Sequence, residues 1–254
     1  MNNKLFASIL LCSCIMFGPI SPLAKELKVG LGELDYPPFY FEQDEQLQGA
    51  VIEITQHLAT QLGHTFIFKR YPWRRVQAYL RSGEIDMSIL YFKTPERAKD
   101  VVYTDTPHIF ESSYLFVAKD TNISYDGTLN GLQSYKFGNV RGYSHGTEYD
   151  KANYLDKQEI VNEKLLIRML IHGRLDIAVG NKAVINSYAK QEGLHDKIIF
   201  LTPAINQGPN FIAFSKANKD AGQLAQAFST QVKQFITTET YRLILQKHGF
   251  ALPE

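Results

Sequence analysis

Two stretches far apart in the chain share one pattern. LRSGEIDMSI at 80–89 and LIHGRLDIAV at 170–179 both read L-x-x-G-x-[IL]-D-[MI]-[SA]-[IV]. Each has the form of a helix end, a glycine stop and the opening of a buried strand, the local grammar of an α/β sheet. Helix–strand units are common enough for two to agree by chance; alternatively, the chain carries two similar α/β lobes that face each other.

The first copy lies inside PWRRVQAYLRSGEIDMSILYFKTPER at 72–97. Trp73, Val76 and Leu80 recur at helical spacing, and Ser82 and Gly83 end that run. Residues 85–91 form a short apolar strand. Thr94 suits a helix cap and Pro95 the first helical position, which puts Glu96 and Arg97 in a first turn. Ligands of open α/β sheets sit beyond the carboxyl ends of the strands, where 91–94 falls. Free N–H groups at a helix start, together with the planar guanidinium of Arg97, suit a ligand carboxylate.

The chain has 254 residues, enough for one large domain or two lobes. Its start is a leader: Lys4 supplies a basic beginning, 5–17 is apolar but too short to span a bilayer, and Gly18, Pro19 and Pro22 follow. Cleavage after Ala24 is the expectation. A looser lipobox-like reading around Cys12 and Cys14 would add an acyl anchor instead. Both cysteines fall in the leader, so the exported protein has no thiol chemistry and no disulfide. Lys+Arg 27 against Asp+Glu 26 offers no basic footprint for nucleic acid. The seven histidines are scattered without an H-E-x-x-H spacing, which argues against a metal site, and no G-x-S-x-G elbow marks a serine hydrolase. No cofactor is implied.

Along the exported chain, 27–32 is a first strand whose Gly30 and Gly32 begin a dinucleotide fingerprint. Asp35 stands where the third glycine belongs and a proline loop follows, which excludes nucleotide binding. Val51, Ile54, Leu58 and Leu62 form one helical face. Polar residues and glycines at 120–131 mark a crossing into a second half, and 210–215 is a strand that returns. Arg141 and Ser144 lie in a loop at a strand end, Asn181 suits an N-cap, and Leu224, Phe228, Val232 and Phe235 share a helical face.

The order and spacing of YPPF at 36–39, Gly49 with Glu53, the motif at 80–86, TPER at 94–97 and GRLD at 173–176 are similar to those of family 3 periplasmic solute-binding proteins, the receptors of polar amino-acid ABC importers. The resemblance covers nearly the whole exported chain. It implies a type II periplasmic-binding fold: two α/β lobes, two hinge strands, and a ligand cleft between the lobes. After a leader at 1–24, the first lobe takes 25–115 and 207–254 and the second takes 116–206. Arg97 would hold the ligand carboxylate; Glu33, Tyr36 and Trp73 would line the cleft; the loop of Arg141 and Ser144 would hydrogen-bond the ligand. An aspartate that takes the ammonium in the family is Asn181 here, and Leu90 and Phe92 replace hydroxyl residues, which puts an ordinary amino acid in doubt. The implied protein is a monomeric periplasmic receptor for an inner-membrane ABC permease, not an enzyme. Two alternatives share the fold: a cyclohexadienyl-dehydratase-like enzyme, with Glu33 or His145 as acid or base, and a sensor that presents its ligand to a membrane receptor.

Overall fold

The apolar runs and glycine stops of both repeat copies shape the computed structural model, which describes residues 24–250. The leader reading, with Cys12 and Cys14, lies outside the described residues. The first half of the chain runs β1 (Glu26–Gly32), the hairpin β2 (Phe41–Gln43) and β3 (Gln46–Gln48), α1 (Ala50–Gln61), β4 (Thr65–Tyr71), α2 (Trp73–Ser82), β5 (Met87–Phe92) and β6 (Val101–Tyr103). A ten-residue strand, β7 (Ile109–Ala118), leads out of it. Then come β8 (Lys136–Val140), α3 (Thr147–Lys151), β9 (Asp156–Ile160), α4 (Glu163–Ile171), β10 (Ile177–Asn181), α5 (Lys182–Gln191) and β11 (Ile198–Phe200). A second ten-residue strand, β12 (Asn206–Ser215), returns to α6 (Ala221–Phe235) and α7 (Glu239–Lys247).

The strands form one path, β4-β1-β5-β12-β7-β10-β8-β9, with β6 against β12 and β11 against β7. At each end three strands run parallel: β4-β1-β5 and β10-β8-β9. Between them the antiparallel pair β12–β7 joins two lobes. β7 pairs with β12 through 109–113 and with β10 through 113–116, so a single strand belongs to both lobes. β12 does the same, meeting β7 through 206–210 and β5 through 210–214. The crossing is therefore made by β7 itself, in keeping with the two hinge strands that the resemblance implies, and 120–131, expected to mark the crossing, is a loop that leads into one short turn. A crossing in strand form keeps backbone N–H and C=O groups paired in the ladder, which a polar loop would leave to water.

The two repeat copies occupy equivalent places, which makes them a duplicated unit rather than a coincidence. Gly83 and Gly173 end the helices at φ of 80° and 64°, a left-handed conformation that glycine adopts without a Cβ penalty. Asp86 then takes the Lys28 backbone N–H on its Oδ2 at 2.8 Å and donates its own N–H to the Lys28 carbonyl at 2.9 Å. Asp176 repeats both bonds on Lys136, at 2.7 and 2.9 Å. Two residues further along those strands, Gly30 and Gly138 leave room for Ile85 and Leu175: a Cβ would lie 2.2 Å from Ile85 Cδ1 and 2.4 Å from Leu175 Cδ1. The C-terminal helices pack on α1 and β12, with Phe228 against Phe214 and Phe235 stacked on His57 at 4.1 Å.

The expected helix at Thr94 is only a three-residue 3-10 turn, Arg97–Lys99. Thr94 Oγ1 does accept the Arg97 N–H at 3.2 Å, but β6 must begin at Val101 to pair with β12, and no room remains for a longer helix. No helix among the described residues is long and apolar enough to cross a membrane.

The duplicated clamp gives two expectations, each read by urea unfolding. Asp86→Ala and Asp176→Ala should each cost about 1–3 kcal/mol, the range for a lost hydrogen bond to a charged group. Gly138→Ala should cost a similar amount, about 1–3 kcal/mol, by overpacking against Leu175 and Leu166.

Candidate ligand-binding cleft

Parallel strands on both sides of the β7–β12 pair deliver their carboxyl-end loops to one place, where Arg97 sits. Its Nη1 donates to the Phe92 carbonyl at 3.2 Å and its Nη2 to the Gly142 carbonyl of the other lobe at 3.0 Å. The guanidinium lies 4.6 Å from the Tyr91 ring centre and 5.9 Å from that of Trp73. Gln77 also reaches the Gly142 carbonyl, at 3.2 Å. Arg74 pairs with Glu159, and the Tyr188 hydroxyl donates to the Asp35 carbonyl, so the lobes touch on both sides of the cleft. Gly142, at φ 77°, would bring a Cβ to 3.1 Å from Arg74 Cγ. The left-handed backbone favours glycine, and any side chain here would press on Arg74.

Beside Arg97 is a recess with aromatic walls from Tyr36, Tyr40, Trp73, Phe92 and Tyr143. Its polar groups come from Glu111, Ser144, His145 and Asn210 as well as Arg97. Of the eight residues expected to bind ligand, five therefore meet here: Tyr36, Trp73, Phe92, Arg97 and Ser144; Leu90 and His145, also named from the sequence, join them. Three do not. Glu33 and Arg141 line a neighbouring recess that shares Trp73 and Tyr143. Glu33 is exposed beyond the end of β1, and Arg141 turns outward to Glu159 at 3.5 Å. Asn181 lines a third, smaller recess behind Tyr36 and Tyr143. It caps α5 by accepting the N–H groups of Ala183 and Val184 on Oδ1 at 2.9 and 3.2 Å, as its sequence position implied. The Ser144 hydroxyl is engaged by Asp150 at 2.5 Å, which braces the loop between β8 and α3.

Sequence reasoning missed Glu111. It lies on β7, 7% exposed, with Oε1 accepting the Tyr36 hydroxyl and Oε2 accepting Asn210 Nδ2 at 3.1 Å. A signal was present: strand alternation puts Glu111 on the same inward face as Ile109, Ser113 and Leu115. Burial pushes its carboxyl up to about 7, although Tyr36, Asn210 and the charge of Arg97 all pull the other way. His145 shares Nδ1 with Ser113 Oγ at 3.0 Å, and its buried Nε2 has no partner among the described residues. Burial lowers it to about 4, helped by Arg97 and opposed by Asp150, so its imidazole is neutral at pH 7. Trp73 Nε1 is likewise buried without a partner. The arrangement can grip a carboxylate, stack a flat group and accept further hydrogen bonds from within a dry wall.

Glu111 also sets a pH signature. Its folded pKa is raised from 4.5 to about 7, so the folded chain holds more protons than the unfolded one across that window. Its contribution to stability therefore falls as pH rises from about 4.5 to 7. Glu111→Gln should gain stability relative to wild type across the same window, by a difference on the order of 3 kcal/mol. Calorimetric melting at a series of pH values reads it directly.

The family model for bacterial extracellular solute-binding proteins, family 3, matches residues 27–251. No match was found among curated proteins. Among solved structures, a histidine kinase sensor domain with similarity to periplasmic binding proteins superposes with a TM-score of 0.78 at 22% identity, covering 90% of this chain and 98% of its own. An ancestral arginine-binding protein bound to arginine gives 0.73 at 26% identity, with 88% and 97% covered. The ancestral amino-acid-binding protein AncCDT-1, a precursor of cyclohexadienyl dehydratase, gives 0.71 at 24% identity, with 88% and 95% covered. With its repeated half-sheets, its two crossing strands and this match over nearly all the described residues, the chain belongs to family 3 of the bacterial extracellular solute-binding proteins.

Proposed function

We propose that the protein is the periplasmic receptor of an ABC importer and binds a small carboxylate-bearing solute, an amino acid or a relative of one, between its lobes. The observation that carries this reading is the state of Arg97. It is a part-buried guanidinium on the wall of an aromatic cavity, its hydrogen bonds go to two neutral carbonyls, and among the described residues no carboxylate oxygen lies within 4.0 Å of it. A planar cation in that position is suited to bidentate recognition of a carboxylate. The similarity to an ancestral arginine-binding protein bound to arginine supports an amino-acid-like ligand.

In this reading the lobes are 25–115 with 207–254, and 116–206, and β7 and β12 act as the hinge. Solute held on the first lobe by Arg97, Tyr36, Trp73 and Phe92 recruits the loop of Gly142, Tyr143 and Ser144, shifting an open–closed equilibrium. Glu33 and Arg141 act on it from the adjoining recess, and Asn181 from the recess behind Tyr36 and Tyr143. A monomer exported to the periplasm then presents the closed form to an inner-membrane permease.

One observation favours a second reading. Glu111, near neutrality, and the neutral His145 face the same cavity, as an acid–base pair of a dehydratase would. Loss of ultraviolet-silent cyclohexadienyl acid with appearance of an aromatic product would favour it over pure binding.

The experiment for the receptor reading is thermal unfolding of the protein from Lys25 onward against a panel of amino acids, dicarboxylates and sugars. A solute at a hundred times its Kd should stabilise by about 2.7 kcal/mol. Arg97→Ala should cost about 2–5 kcal/mol of binding to any carboxylate on that panel. A hit that survives this substitution, or silence across the panel, would remove the proposal.

A further inference from the structure

Glu111 stands in the cavity as a carboxyl group without a counter-charge. Both carboxylate oxygens are met, but by neutral donors: the Tyr36 hydroxyl and the Asn210 amide. Among the described residues no lysine, arginine or histidine nitrogen lies within 4.0 Å of it, so it does not pair with Arg97 across the cavity. Two donors aimed at one buried carboxyl suit its ionised form, which accepts only. Burying that form is costly until a cation arrives. The walls tell the same story, because the faces of Tyr36, Tyr40, Trp73, Phe92 and Tyr143 attract positive charge.

Resting on the solute-binding reading, we infer that Glu111 is the group that recognises a solute ammonium, so that the ligand is a zwitterion held between Arg97 and Glu111. The role comes from a crossing strand between the lobes and not from Asn181, which has no charge and is engaged in capping α5. The solute class follows: an amine and a carboxylate on one small frame, with the remainder packed on aromatic rings. Trp73 Nε1 and His145 Nε2, both buried and unpartnered, are available to its polar atoms.

Recognition of this kind is linked to protons. Glu111 carries its proton below about pH 7 and must release it as the ammonium binds. The phenols, the imidazole and the guanidinium that face it keep one charge state between pH 6 and 8. Burial raises Tyr36 and Tyr143 well above the usual phenol range, and His145 is neutral above about 4. Arg97 keeps its charge. Glu163 on α4 is also raised by burial, and its charge helps to raise Glu111, although it lines the neighbouring recesses and not this one; it is therefore the control.

The test is calorimetric titration of the whole exported protein with phenylalanine, glutamine and arginine, each against its deaminated acid. Binding of the amino acids should weaken about tenfold from pH 8 to pH 6, the drop in the ionised fraction of a group with a pKa near 7. About half a proton should leave at pH 7, seen by comparing buffers of different ionisation enthalpy. Deaminated acids should bind at least a hundredfold more weakly. Glu111→Gln should flatten the pH profile and erase that preference, Glu111→Asp should retain the profile, and Glu163→Gln should leave it in place. A gain in melting temperature of Glu111→Gln above pH 7 shows that it folds. Deaminated acids binding as tightly as the amino acids, or a flat wild-type profile, would overturn the inference while leaving a carboxylate receptor standing. Binding of neither class would overturn both.

Discussion

Two aspartates hold the halves of this molecule to a single plan. Asp86 and Asp176 each grip the backbone of the strand beside them with a side-chain acceptor and a main-chain donor, at Lys28 and Lys136. The grip fixes the register between the strand that starts each half-sheet and the strand that follows the helix. Register is what decides where the strands end, and a slip of one residue would turn every apolar side chain outward. With it fixed, the carboxyl ends of β1 and β5 in one half and of β8 and β10 in the other are level, and the antiparallel pair β7–β12 turns them toward each other. Ligand sites of α/β sheets lie beyond such ends. Here two of them face across one gap, so the position of the cleft is a consequence of the duplicated motif.

What the cleft contains is an unusual charge balance. Arg97 has neutral carbonyl partners and Glu111 has neutral donors, and the two do not meet. A buried pair in direct contact would have satisfied both charges and closed the cavity, with desolvation offset by mutual attraction. Without that contact, each retains a demand that a solute can meet. The shift of Glu111 toward neutrality and the neutral state of His145 are two expressions of the same dry surroundings.

Local pattern carried the reading of the sequence a long way, and its failures have physical causes. The helix ends at Gly83 and Gly173 and the cap at Asn181 depend on a few neighbouring residues, and each is found where the spacing put it. The helix expected from Thr94 and Pro95 has the right cap but is cut to one turn, because pairing of β6 with β12 is a tertiary demand. The polar residues at 120–131 suggest a crossing because an apolar strand that serves two lobes looks no different in sequence from one that serves one. Arg97 was legible because TPER is a recognisable motif. Glu111 was not: in IFESSYLFVA a single acid on the inward face is visible by alternation, but whether a cation meets it depends on chain hundreds of atoms away. The acid that was chosen, Glu33, sits at a strand end as expected but opens to solvent.

The closed arrangement also bears on how a receptor of this kind would be switched. The contacts between the lobes are modest. Arg74 and Glu159 are exposed, and a pair of that kind contributes about 0–1 kcal/mol. The Gly142 carbonyl accepts from both Arg97 and Gln77, and the Tyr188 bond to Asp35 adds one more. Together these can hold the lobes near balance without locking them, since each net hydrogen bond is worth about 1 kcal/mol. A solute that bridges the lobes need then supply only a few kcal/mol of preference for the closed form to move most of the population. If the lobes close as proposed, Arg97 would serve that equilibrium twice. Its reach to Gly142 ties the lobes together, and a carboxylate seated on the same guanidinium would add a partner at the seam, so that binding and closure act through one side chain.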